Sequence, residues 1–142
     1  MARDPVEVVR DQYRATNERD FARAMEIYGD EVILVVTESW GVGSGIYVGK
    51  DAVGEWFGDW FRQFADDYHF DVDESRELAP GLVFLHATHR GHGRHSGVEV
   101  SSENAYLYRV SEGKIRRVGF FRTREEALDA ASLPEWSSPQ NG

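Results

Sequence analysis

LVFLHATHRGHGRHSGVEVSSENAYLYRVSEGKIRRVGFFR, residues 82–122, is the stretch that decides the fold. Three runs rich in β-branched and aromatic residues, at 82 to about 92, 98–110 and 114–122, are parted by glycine-bearing turns. Runs of that length with turn chemistry between them read as an antiparallel meander. Side chains alternate faces along a strand. Val83, Leu85, Ala87 and His89 therefore share one side, and Phe84, His86, Thr88, Arg90 and His92 the other. The first set is more uniformly apolar and should face a core, which leaves His89 as one titratable group on an apolar row.

Working outward, Phe70 and Val72 alternate with Asp71 and Asp73 in a further strand, which Ala79-Pro80-Gly81 turns into the meander. Upstream, residues 50–67 carry Val53, Trp56, Phe57, Trp60, Phe61 and Phe64 at helical spacing, with Asp59, Arg62, Gln63 and Asp66 opposite. That aromatic stripe predicts a helix over 50–67 that either fills a core or lines a cavity. Val32 to Val36 is a β-branched run, Ile46-Tyr47-Val48 a short strand, and the glycine-rich stretch between them a flexible rim loop. It lacks the Lys-Ser/Thr ending of a phosphate loop.

Asp4 is a good N-cap before Pro5, and Val6, Val9, Tyr13 and Thr16 mark the buried face of a first helix. Asp20 caps a second, short helix whose stripe is Phe21, Ala24, Met25 and Tyr28, with Gly29 as its stop. At the other end, Thr123 and Glu126 form a capping box for a short helix over 124–131. After Leu133 the composition turns to Pro, Ser, Gln and Gly. The organisation expected is one domain over 1–133 with a flexible tail over 134–142. The class is α+β, three helices in the N-terminal half against an antiparallel sheet of about five or six strands.

The 142 residues are 41% hydrophobic and 29% charged, enough for one core without staples. Cysteine is absent, which excludes disulfides and thiolate metal sites. The formal net charge of −9 has no dense basic face, which argues against nucleic-acid binding. No run approaches a membrane span and the N-terminus lacks a signal-peptide pattern, so no membrane partner and a cytoplasmic location are expected.

Particular words in this order resemble the SnoaL-like family of the nuclear-transport-factor-like, ketosteroid-isomerase-like superfamily. They are Tyr13 to Asp20, Tyr28-Gly29-Asp30-Glu31-Val32, Gly45-Ile46-Tyr47-Val48-Gly49-Lys50-Asp51-Ala52-Val53, Gly113-Lys114-Ile115, and Arg124-Glu125-Glu126-Ala127-Leu128-Asp129-Ala130-Ala131. The likeness spans residues 6 to 133. It implies a cone-shaped, strongly curved sheet wrapped around the helices, a pocket inside, and a homodimer through the outer sheet face. Its members include polyketide cyclases, and relatives include ketosteroid isomerases, limonene epoxide hydrolases and scytalone dehydratases. The isomerase base would fall at Val36, its oxyanion tyrosine at Gln12 beside Tyr13, and its protonated aspartate near Ala105, with Glu103 and Asn104 as polar neighbours. The epoxide hydrolases' acid would fall at Phe120. None of these positions holds the relatives' residue.

The candidate catalytic residues are therefore His89, Tyr13 and Glu38. His89 suits acid–base work because imidazole titrates near neutrality; the alternative is a core histidine bonded to Tyr13, Tyr106 or backbone. Glu38 is either a base at the rim or a solvated loop carboxylate. Trp40, Trp56, Trp60, Phe64, Tyr106 and Phe120 are the candidate ligand-binding residues, suited to a flat, hydrophobic small molecule of ring or polyketide type. His86, His89, His92 and His95 stand three apart, but strand alternation separates them, and His86 and His92 lie about 20 Å apart. No metal or organic cofactor is expected. The readings are a cofactor-independent cyclase, isomerase, dehydratase or hydratase, a non-catalytic ligand-binding module, or a dimeric interaction module.

Overall fold

In the computed structural model, which describes residues 3–41 and 43–138, helix α1 (Pro5–Asn17) begins as its cap predicts. The Asp4 carboxylate accepts the Val6 N–H at 3.0 Å with Pro5 in the first turn. The helix ends where Asp20 N–H reaches back to the Ala15 carbonyl at 2.9 Å, which puts Arg19 in the left-handed region at φ 64°. Asp20 then accepts the Arg23 N–H and starts α2 (Phe21–Glu26). Tyr28, expected on the stripe of that helix, instead opens β1 (Tyr28–Val36), where pairing with Ile115 takes it into the core.

Strand β2 (Gly45–Val48) pairs antiparallel with β1, and α3 (Lys50–Phe61) follows. The predicted helix over 50–67 is too long. Beyond Phe61 the backbone is captured by the connection that follows β4: Phe64 bridges Gly93, Ala65 N–H donates to the His92 carbonyl at 2.8 Å, and the Gln63 carbonyl accepts Arg94 N–H at 2.9 Å. These bonds replace the ones another helical turn would have used. The meander is β3 (His69–Ala79), β4 (Leu82–His92), β5 (Glu99–Ser111) and β6 (Lys114–Phe121). Helices α4 (Arg124–Ala130) and α5 (Pro134–Ser137) complete the chain.

The sheet order is β2-β1-β6-β5-β4-β3. The expectation of an antiparallel sheet is corrected at one seam, because β1 and β6 run parallel and make the sheet mixed. Three turns make β6 antiparallel to β3, and the helices return the chain from β2 to β3 so that β6 runs beside β1 in the same direction. The sheet is also not closed on itself, since β2 and β3 are its edges.

Strand parity sorts the two faces as expected, but the outer face carries a core of its own. Val83, Leu85 and Ala87 join Tyr106, Tyr108, Val118 and Phe120 on the inner face, packed with α1 and α3. Leu82, Phe84, Ala105, Leu107 and Phe121 form a second cluster with Ala127 and Trp136 on the outer face. The tail expected from residue 134 is thus corrected over 134–137, which form α5 with Trp136 only 2% exposed; residues 139–142 lie outside the described residues. The apolar centre of the outer face, expected to be open to a partner, is covered by the chain's own α4 and α5. Among the described residues no helix is long and apolar enough to cross a membrane.

Candidate functional site

The helices and the inner sheet face enclose a cavity of about 600 Å³. One wall is indole. Trp56 and Trp60 are one turn apart on α3 and stack with centroids 5.6 Å apart and planes 8° from parallel. Trp40, in the turn after β1, packs on Trp60 at 4.6 Å and on Phe120 at 5.3 Å. Gly43 lets the rim loop close over Trp56: its carbonyl accepts the Trp56 Nε1–H at 3.1 Å, and a Cβ there would stand 2.8 Å from that nitrogen. Among the described residues the buried Trp40 Nε1–H has no acceptor, in a place where burial normally demands one.

The opposite side carries phenols. Tyr13 from α1 and Tyr108 from β5 bring their hydroxyls to 2.5 Å, and Tyr28 and Tyr106 line the same space. Burial raises all four above the ordinary phenol range, and for Tyr13 the neighbouring Tyr108 adds to it. They remain protonated at neutral pH and serve as hydrogen-bond donors, not as bases.

His89 is buried but does not line the cavity; Tyr68 stands between. The Tyr68 hydroxyl accepts the Trp60 Nε1–H at 2.9 Å and lies 2.8 Å from His89 Nδ1. Desolvation lowers the His89 pKa to about 4, so the imidazole is neutral at pH 7. Of the three expected catalytic residues, Tyr13 faces the cavity directly and His89 reaches it through Tyr68. Glu38 does neither. Strand β1 ends at Val36, and Glu38 sits exposed in the following turn, outside the cavity lining.

Five of the six expected ligand-binding residues (Trp40, Trp56, Trp60, Tyr106 and Phe120) line the cavity. Phe64 is the exception. Because α3 stops at Phe61, Phe64 turns behind Tyr68 and stacks on its far face at 4.1 Å. Tyr68 was the residue sequence reasoning missed, although extending the Phe70, Val72 alternation back by one step places it in the inward row. Val36 and Phe120 are apolar core residues, while Ala105 turns to the outer cluster. The inward neighbour Asn104 is buried and hydrogen-bonds Tyr106. An amide thus stands close to where relatives carry an acid.

Asp66 is the one carboxylate among the lining residues, and it sits at the mouth with Arg19, Arg62 and Arg94. A group with metal-ligand geometry lies elsewhere, on the outer face, where Asp73, His86 and Glu103 bring one ligand atom each within 4.8 Å of the others. It is solvent-facing and remote in character from the cavity, with His86 Nδ1 and Asp73 Oδ1 at 2.7 Å accounting for part of it as an ordinary surface pair.

The profile of the SnoaL-like domain matches residues 9–118, and the chain belongs to that family. Its fold is that of the NTF2-like and ketosteroid isomerase-like proteins. An NTF2-like protein from Burkholderia thailandensis superposes with a TM-score of 0.72 at 21% identity, over 92% of this chain and 99% of that one. A protein with a ketosteroid isomerase-like fold from Catenulispora acidiphila, in complex with trimethylamine, gives 0.70 at 15% identity over 90% and 94%. TerC co-crystallized with polyporic acid gives 0.72 at 16% identity over 89% and 97%. No curated protein matches the sequence. At these identities the solved structures establish the fold alone.

Proposed function

We propose that this protein binds a flat, ring-containing, largely apolar small molecule inside the cavity, with the ligand's oxygen acceptors turned toward the phenols. The observation that carries this is the pairing of an indole wall with buried neutral donors, including the Trp40 Nε1–H that no described residue accepts. The volume of about 600 Å³ suits a ligand of two to four fused rings. That structural neighbours were crystallised with polyporic acid and with trimethylamine is consistent with an interior open to small molecules. Titration with naphthols, flavonoids and hydroxyanthraquinones should quench tryptophan emission and raise Tm. If no ring compound does either, and native mass spectrometry of freshly purified protein carries no ligand, the reading is wrong.

A second reading, catalysis without a cofactor, is favoured by the Tyr68–His89 pair. Tyr68 can pass its proton to His89 Nδ1 while its oxygen takes one from the bound molecule, and Trp60 Nε1–H stabilises the phenolate character on the way. Return of that proton to another ligand atom is an isomerisation or closes a cyclisation; dehydration and hydration use the same relay. A base with a pKa of about 4 suits only an already acidic proton, such as one beside two carbonyls. His89→Phe should keep binding and lose turnover. Undiminished turnover in that variant ends the proposal.

We further propose a homodimer, formed on the part of the outer face that α4 and α5 leave open. Ile46 and Val48 are 67% and 65% exposed there, paired with Val35 and Ile33. A monomer by light scattering at micromolar concentration removes it.

A further inference from the structure

We infer that the cavity's ligand is an acid, its rings held by the indole wall and its anionic group (carboxylate, sulfonate or ionised enol) seated at the mouth between Arg19 and Arg94. This rests on the reading of the cavity as a ligand site and adds the chemical class.

Three guanidinium groups line the mouth, from three separate segments: Arg19 in the turn between α1 and α2, Arg62 at the end of α3, and Arg94 in the connection from β4 to β5. The chain as a whole carries a net charge of −9, so this local excess of cations is not a reflection of composition. Against them stands one lining carboxylate. Asp66 is shared by Arg19 at 3.4 Å and Arg94 at 3.3 Å, and its side chain is 89% exposed. A carboxylate so solvated holds its partners weakly and can be exchanged for a ligand oxyanion. Arg62 pairs with Asp59, which does not line the cavity.

The two flanking guanidiniums are also aimed. Arg19 Nη2 donates to the Ala65 carbonyl at 3.2 Å, and Arg94 Nε donates to the Arg62 carbonyl at 3.3 Å. Each fork is fixed by backbone, yet most of its five donors remain for a planar anion, the geometry guanidinium recognises best. Capping of the α3 carbonyls alone would account for one such arginine. It does not account for Arg19 standing at φ 64°, where a helix-ending residue is usually glycine. The Arg19 guanidinium also lies over the ring of Phe21, itself a lining residue, at 5.7 Å, so its side chain is held along the cavity wall at a backbone position that disfavours side chains.

The test uses two dyes that share the naphthylamine–phenyl skeleton: 1-anilinonaphthalene-8-sulfonate, and N-phenyl-1-naphthylamine, which lacks the sulfonate. Energy transfer from the cavity tryptophans reports binding of each to the intact protein. At low salt the sulfonate should bind about tenfold tighter than the neutral dye, as a charge-assisted contact provides. That preference should shrink in 0.5 M NaCl. The double variant Arg19→Gln/Arg94→Gln should lose it while keeping its affinity for the neutral dye, and Arg76→Gln on the outer face should leave both unchanged. Should the double variant not fold, the single variants and the salt series carry the same test. Equal affinity for the two dyes, or a preference that survives in the variants, overturns the acid assignment and leaves the pocket standing. Binding of neither dye overturns the pocket reading and this inference with it.

Discussion

His89 Nδ1 lies 2.8 Å from the hydroxyl of Tyr68, whose oxygen already accepts the Trp60 Nε1–H. In the tautomer that lets the hydroxyl donate to the imidazole, His89 accepts at Nδ1 and carries its own proton on Nε2. Its pKa, lowered by burial to about 4, stands against about 6.5 in the unfolded chain. Between those values the unfolded chain binds more protons, so this contribution to stability is complete above about pH 6.5 and disappears as pH falls toward 4. Solvent screening at the partly open side of the ring holds it to about 1–3 kcal/mol. Urea unfolding at pH 7 and pH 4.5 should show the loss in the native protein and a flatter response in His89→Gln. Nitrogen NMR that finds His89 titrating near 6.5 would contradict the assignment.

Trp136 should be a stability residue of the first rank. Its indole lies over β6 where Gly119 has no side chain; a Cβ at Gly119 would meet it at 2.6 Å and the Phe121 ring at 2.9 Å. Arg117 stacks on the same indole at 5.0 Å, and Arg109 Nη1 donates to its carbonyl at 3.1 Å. Trp136→Ala should cost about 3–5 kcal/mol in chemical denaturation. Gly119→Ala should also destabilise, but by less when Trp136 is already alanine, because the clash is mainly with that ring. Additive losses would show that the two do not touch.

The Tyr13 and Tyr108 hydroxyls form a coupled pair. Tyr13→Phe and Tyr108→Phe should each cost about 1–2 kcal/mol by stranding the remaining hydroxyl, and the double variant less than the sum. Both single variants should weaken binding of hydroxyanthraquinones more than binding of unsubstituted anthracene. A uniform loss for both ligands would assign the pair to structure alone.

Much of this was legible because it is local. The caps at Asp4, Asp20 and Thr123 name their helices, and alternation along β4 sorts Val83, Leu85 and Ala87 from Phe84 correctly. The errors lie where a distant segment decides. Nothing between Arg62 and Asp67 is a helix stop; the stop is the connection after β4, some thirty residues on, taking the backbone bonds. For that reason helical spacing sets Phe64 among the cavity residues, where the structure instead puts Tyr68 with Phe64 stacked behind it. The parallel seam between β1 and β6 has no sequence signature, because it depends on how the helices return the chain. Trp136 did have one: a large apolar residue behind Pro134 and Glu135, the start of a helix, inside an otherwise polar tail.

Arg19 offers a separation of backbone from side chain. At φ 64° glycine is unstrained and alanine is not. Arg19→Gly and Arg19→Ala both remove the guanidinium and its contacts to Ala65 and Asp66, so their difference isolates the backbone. The glycine variant should be the more stable by about 1 kcal/mol. At Arg10, exposed inside α1, the order should reverse, with alanine ahead by about 1 kcal/mol. Thermal or urea unfolding of the four variants reads both signs. If alanine leads at position 19 as well, the left-handed turn is not present in solution, and the Arg19 guanidinium is not held at the mouth by that turn.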